Sequence, residues 1–239
     1  MDLNTSSVSG VKLTGLKFEE HSKVKMYPAG NLFIPVRHGQ LEAILKEPKE
    51  TPAKGVALVL HPHPLGGGTM HNKVVFRAAA ALNDAGLTTL RINFRGVGQS
   101  SGEHDYGRGE LDDVRAGLNY VTETYPDQDL TICGFSFGAR MGMEVGSGDD
   151  RVNRLISIGT PLSKYDFNFL EQCKKPILFV HGERDEFGEI EELRALADRL
   201  EQQTSVRLVV VSDTGHFFDG HLDQLKSGIF DWVTSQLAS

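Results

Sequence analysis

Gly134-Phe135-Ser136-Phe137-Gly138 sets a serine between two glycines, directly after the apolar run Leu130–Cys133 and ahead of a helical pattern. The spacing has a steric reason. A serine on a sharp strand-to-helix turn projects its hydroxyl above the sheet, and side chains two positions to either side would collide. The helix that follows directs the positive end of its dipole at the same place. Such a hydroxyl can attack an acyl carbon. A glycine–serine turn without chemistry carries the same letters, so catalysis requires partners elsewhere in the chain.

Serine is a weak nucleophile at its free pKa and needs a positioned base, usually a histidine oriented by a carboxylate. In sheets of this kind the partners follow in the chain order serine, acid, histidine. Two later strand ends supply candidates. Pro176–Val180 runs into His181-Gly182-Glu183-Arg184-Asp185-Glu186, and Val206–Val211 runs into Ser212-Asp213-Thr214-Gly215-His216-Phe217-Phe218. Asp185 is assigned as the carboxylate and His216 as the base. Glu183, Glu186 and Asp213 compete on residue type, although Asp213, three residues before His216, suits shaping of the turn. His38 and His104 have surface-loop contexts, His221 belongs to the final helix, and His181 ends a strand, where a buried, hydrogen-bonded ring is expected.

Ester hydrolysis passes through an oxyanion that preorganised backbone N–H groups stabilise. Phe137, the residue after the nucleophile, is expected to supply one. The second is expected from His61-Pro62-His63-Pro64-Leu65-Gly66-Gly67-Gly68-Thr69-Met70-His71-Asn72, with His63 the first choice of donor and Leu65 the second. Pro62 and Pro64 have no N–H to give. His61 and His63, with His71 nearby, also have the spacing of a zinc pair, but prolines flank them and no matching cluster stands elsewhere. The glycine run lacks the Gly-Lys-Ser/Thr of a phosphate loop, and Arg95-Gly96-Val97-Gly98 lacks the apolar helix start of a dinucleotide site. The loop Arg95–Gly102 is instead expected to border the site and pack against the oxyanion loop.

The elements that must position these residues alternate between strand and helix. Val56–Leu60, Thr88–Phe94, Leu130–Cys133, Leu155–Ile158, Pro176–Val180 and Val206–Val211 read as strands. Helical patterns cover about Lys73–Ala85, Glu110–Thr124, Phe137–Glu144, Glu189–Glu201 and Asp219–Leu237, the fourth with Leu193, Leu196, Ala197 and Leu200 at i, i+3, i+4 and i+7. That rhythm predicts an α/β fold: a mostly parallel central sheet with helices on both faces. Asn31–Val36 and Leu41–Lys46 add an antiparallel N-terminal hairpin turning at His38-Gly39.

The 239 residues carry a net charge of −7 and include 26 glycines. The acidic balance without a basic block argues against nucleic acid, and no apolar run approaches the ~18 residues of a membrane span. The polar first twenty residues lack a signal-peptide layout, so a cytoplasmic location is expected. Cys133 and Cys173 are not spaced as a metal or redox pair. No cofactor is expected. The implied partner is a small acyl substrate; oligomeric state is open, a homodimer included.

Four motifs in order resemble a small, lidless bacterial group within the α/β-hydrolase superfamily. They are H-P-x-P…G-G-[ST]-M-x-N-K-V-V at His61–Val75, N-F-R-G-V-G-x-S-x-G at Asn93–Gly102, G-F-S-F-G-A at Gly134–Ala139 and H-F-F at His216–Phe218. The resemblance begins at about Asn31. It implies a Ser136–Asp185–His216 triad, an oxyanion hole at Phe137 and the His63–Leu65 loop, and hydrolysis of esters or similar acyl compounds. Residues 1–22 are expected to form an N-terminal extension and residues 23–239 one α/β-hydrolase domain. Only 17 residues separate Ile158 from Pro176, too few for a helical lid. Tyr165 and Phe167 in that segment, with Phe217, are candidate acyl-pocket residues. The same triad would serve a peptidase or amidase; a cofactor-dependent dehydrogenase on a related sheet and a non-catalytic binding protein on this scaffold are the other readings.

Overall fold

The computed structural model describes residues 30–49 and 52–238, so the extension assigned to residues 1–22 lies outside the described residues. β1 (Gly30–Val36) and β2 (Gly39–Lys46) form the antiparallel hairpin. In β1 the buried Leu32 and Ile34 alternate with more exposed positions, as a half-covered edge requires. Six strands follow: β3 (Val56–Leu60), β4 (Thr88–Ile92), β5 (Leu130–Phe135), β6 (Val152–Ile158), β7 (Ile177–Gly182) and β8 (Val206–Val211). They lie in the order β1-β2-β4-β3-β5-β6-β7-β8, with β2 antiparallel to β4 and the later strands parallel to one another. Every residue of β3 and β5 is buried, which explains their near-continuous apolar composition.

Among the described residues five α-helices complete the layers: α1 (Lys73–Asp84), α2 (Arg108–Thr124), α3 (Phe137–Gly148), α4 (Ile190–Glu201) and α5 (Leu222–Leu237). α1 and α5 pack on one face of the sheet, where Val75, Ala78, Leu82, Ile229 and Val233 meet Val59, Ile156 and Val180. α2, α3 and α4 cover the other, with Leu118, Met143 and Leu196 over Leu58, Ile132 and Phe179. α4 buries the expected stripe of Leu193, Leu196, Ala197 and Leu200. Each such leucine contributes roughly 1.5–3 kcal/mol by leaving water. The fold is the α/β hydrolase fold. Between β6 and β7 the chain forms only a short 3-10 turn (Asn168–Gln172), so no cap domain stands over the sheet among the described residues.

Two boundaries differ from the sequence pattern for identifiable reasons. α3 continues to Gly148 rather than ending at Glu144, because its glycines are contact positions. A Cβ at Gly142 would lie 2.7 Å from Ile132 Cγ2, and one at Gly146 would lie 2.6 Å from Leu155 Cδ2. Close helix–sheet packing outweighs the poor helix propensity of glycine. α5 starts at Leu222 rather than Asp219, because Phe218 (φ 52°) and Gly220 (φ 75°) are left-handed and cannot continue a right-handed helix. No helix among the described residues is long and apolar enough to cross a membrane.

Candidate active site

Ser136 stands between the end of β5 and the first residue of α3, at φ 56° and ψ −116°. A non-glycine residue in that conformation costs about 1–3 kcal/mol and persists only where its surroundings hold it. Here the Ser136 N–H donates to Ile158 O on β6 at 2.9 Å. The flanking glycines are steric necessities. A Cβ at Gly134 would sit 2.2 Å from Gly138 O, and one at Gly138 would sit 2.5 Å from His61 O.

Two loops at the carboxyl ends of β7 and β8 bring Asp185 to His216. They are joined through their backbones, with Glu183 N–H donating to Val211 O and Arg184 N–H to Thr214 O, both at 2.9 Å. His216 Nδ1 consequently lies 2.8 Å from Asp185 Oδ2 and 3.0 Å from Oδ1, and both side chains are almost wholly buried. Asp185 Oδ1 also accepts the Phe187 N–H at 2.9 Å, which fixes the carboxylate. With Nδ1–H donated to the carboxylate, the Nε2 lone pair is left available as a base. The ring is clamped by Phe135, Phe187 and Phe217 at centroid distances of 4.9, 4.6 and 5.2 Å.

The competing acids have other work. Glu183 accepts the Asp213 N–H, Asp213 pairs with Arg184 at the surface, and Glu186 reaches the His216 N–H at 3.4 Å. His181 is fully buried, donates from Nε2 to Gly188 O at 2.7 Å, and is held below the ordinary histidine pKa mainly by burial.

A cavity of about 460 Å³ is lined by both Ser136 and His216, together with Phe137, His63, Gly66–Gly68, Asn72, Tyr165 and Phe217. Phe137 is the first residue of α3, so its N–H has no intrahelical acceptor. In the facing loop, Pro64–Gly66 forms a 3-10 turn capped by His63. That turn removes Leu65 from the candidate donors. Its N–H donates to His63 Nδ1 at 3.2 Å, and its side chain is 69% exposed outside the cavity. The N–H groups of Gly66 and Gly68 go to His63 O and that of Gly67 to Pro64 O. Prolines 62 and 64 have none, which leaves the His63 N–H.

His61 turns away from the cavity into the core. Its Nε2 accepts the Phe94 N–H at 3.0 Å, and its Nδ1 lies 2.6 Å from Pro62 O, so Nδ1 carries the proton. Both ring nitrogens are thereby committed, and His61 and His63 do not converge on a metal. Burial pushes the His61 pKa down from 6.5 to about 4. Between those values the unfolded chain binds more protons than the folded one. Stability is therefore complete above pH 6.5 and falls as pH drops toward 4, by about 3 kcal/mol from this group, with His181 acting in the same direction. Urea unfolding at pH 7 and pH 4.5 should show this loss, and His61→Gln should show a smaller one. Equal losses in both proteins would contradict the assignment.

Three residues sit otherwise than the sequence suggested. Phe167 is buried and lines a different cavity, because the chain turns at the following 3-10 segment, whereas Tyr165 and Phe217 do line the cavity of Ser136. The His104 side chain is only 7% exposed, with Nδ1 2.8 Å from Glu110 Oε1. Glu110 accepts the N–H groups of Asp105 and Gly107, both at 2.8 Å, and so folds this loop back over Phe137. His221 stands immediately before α5 rather than within it, with Nδ1 2.8 Å from Asp219 O.

The loop Arg95–Gly102 contributes no residue to the lining of the Ser136 cavity and is tied mainly to the hairpin and α2. Ser101 N–H donates to Gln40 O, Gln99 N–H to Glu42 Oε2, and Arg95 forms a multidentate pair with buried Asp113. The link to the loop of residues 61–72 comes just before it, where Asn93 Oδ1 accepts the Met70 N–H at 2.8 Å. Asn72, which caps α1 by accepting the Val74 N–H, and Phe187 are cavity residues that the sequence pattern missed; each follows from a loop fold rather than from a local motif.

The fold and this site place the chain in a known class. A family model described as alpha/beta hydrolase fold matches residues 57–172. The uncharacterized protein RP471 of Rickettsia prowazekii (strain Madrid E) is 38% identical over 190 residues, which cover 77% of this chain and 80% of that protein. Two solved structures are similar along most of their length. An alpha-beta serine hydrolase homologue from Coxiella burnetii is 37% identical, with a TM-score of 0.77, covering 84% of this chain and 95% of that one. XC6422 from Xanthomonas campestris, a serine hydrolase without lid, is 34% identical, with a TM-score of 0.79, covering 89% and 98%. The chain belongs to the α/β hydrolase family, and that membership supports a hydrolase.

Proposed function

We propose that this protein is a serine hydrolase that cleaves carboxylic esters, or related acyl compounds such as thioesters, through an acyl-enzyme. The observation that carries the proposal is the buried Asp185–His216 contact beside the cavity that Ser136 also lines. Ser136 Oγ attacks the carbonyl carbon while His216 Nε2 takes its proton, and Asp185 holds the imidazole in the required tautomer. The oxyanion is received by the N–H groups of Phe137 and His63; losing one such donor costs roughly 3–4 kcal/mol of transition-state stabilisation. His216 then protonates the leaving alcohol, and water, deprotonated by the same ring, releases the acid. Protein groups and water supply every step, on a small acyl substrate.

Parallel assays of a p-nitrophenyl ester, an acyl thioester and an aminoacyl p-nitroanilide separate the acyl chemistries. Ester or thioester turnover should dominate and vanish in Ser136→Ala. A dominant anilide activity would make the enzyme a peptidase or amidase, and turnover undiminished in Ser136→Ala would reject the nucleophile.

A further inference from the structure

A second cavity, of about 340 Å³, lies beside the catalytic one, with Leu162, Phe167 and Leu196 among its apolar lining and Glu192 and Arg199 also bordering it. Tyr165 is the one residue common to both linings. Its position is held by a turn in which the Lys164 and Tyr165 N–H groups donate to Pro161 O at 3.1 and 3.2 Å, and by an edge-on contact of its ring with Phe137 at 6.3 Å.

The catalytic cavity has two chemically distinct sides. The leaving alcohol must lie toward His216, which protonates it, and that side is walled by Phe187 and Phe217. The acyl group must then extend toward the Phe137 side, where Tyr165 stands. We propose that Tyr165 is the wall that limits acyl-chain length, and that the cavity behind it is a latent subsite for the distal methylenes of a longer aliphatic chain. The proposal rests on the ester-hydrolase function above and adds its substrate class: short-chain acyl esters.

The test is kcat/KM for p-nitrophenyl butyrate and p-nitrophenyl octanoate, measured on the full chain, with thermal melting as the check on folding. The wild-type enzyme should favour butyrate. Tyr165→Ala should raise the octanoate-to-butyrate ratio at least about tenfold, since several methylenes gain a burial site. Tyr165→Leu should raise it less, and keeps the question answerable where the alanine variant folds poorly. Adding Leu162→Trp to Tyr165→Ala fills the second cavity and should return the ratio toward the wild-type value. A ratio unmoved in folded Tyr165 variants, or a gain that Leu162→Trp leaves intact, overturns the wall while butyrate turnover keeps the hydrolase function standing. Absence of ester turnover in the wild-type protein overturns both. A shift seen instead in a series of lengthening alcohols at fixed acetyl group would place Tyr165 on the leaving-group side and overturn the acyl assignment.

Discussion

Ser136→Ala is expected to lower kcat by on the order of a millionfold while changing KM little. The hydroxyl is the only part of the site removed: the Phe137 and His63 N–H groups, the cavity and the Asp185–His216 pair all remain, so binding and the oxyanion donors persist without a nucleophile. Stability should barely move, because alanine at φ 56° is as strained as serine. Ser136→Gly should instead melt higher, since glycine reaches that conformation without the roughly 1–3 kcal/mol of backbone strain. Kinetics and melting curves on the three proteins check both halves. A Ser136→Ala enzyme retaining a tenth of its rate, or a Ser136→Gly protein no more stable than wild type, would contradict the strained-nucleophile account.

Asp185→Asn should cost about ten-thousandfold in kcat at neutral pH. The geometry gives the reason. Asp185 presents two oxygens to Nδ1 at 2.8 and 3.0 Å and so requires the proton there. An amide can turn its NH2 toward Nδ1, moving the ring proton to Nε2, where it blocks removal of the serine proton. The loss should appear in kcat rather than KM, because Asp185 is buried behind His216 and is not a lining residue of the cavity. Glu183→Gln is the matched control, as Glu183 is exposed and bonds only loop backbone. A larger loss from Glu183→Gln than from Asp185→Asn would move the acid to the neighbouring position.

The sharp turn at Ser136 was legible in the sequence because its constraints are local. Gly134 and Gly138 are excluded from bearing a Cβ by atoms within the same short segment or one strand away. Asp185 and His216 were legible through chain order and strand ends, although 30 residues lie between them, because parallel strands deliver their following loops to one edge of the sheet. Leu65 was not. Its N–H is available in sequence terms and unavailable once His63 Nδ1 captures it. His104 was misplaced for a similar reason, since the Glu110 carboxylate that folds its loop inward comes from the start of the next helix. The helical pattern was followed only to Glu144, whereas α3 runs to Gly148, with Gly142 and Gly146 close against β5 and β6. In each case a contact distant in sequence or a change of backbone direction outweighed local propensity.

The central claim is that Ser136 is a nucleophile activated by His216, and covalent labelling tests it most directly. Incubation with a fluorophosphonate followed by peptide mass mapping should place one phosphonyl adduct on Ser136. Ser136→Ala should take up none there, and His216→Ala should react far more slowly. An unmodified wild-type protein, or an adduct carried on another residue, would contradict the account.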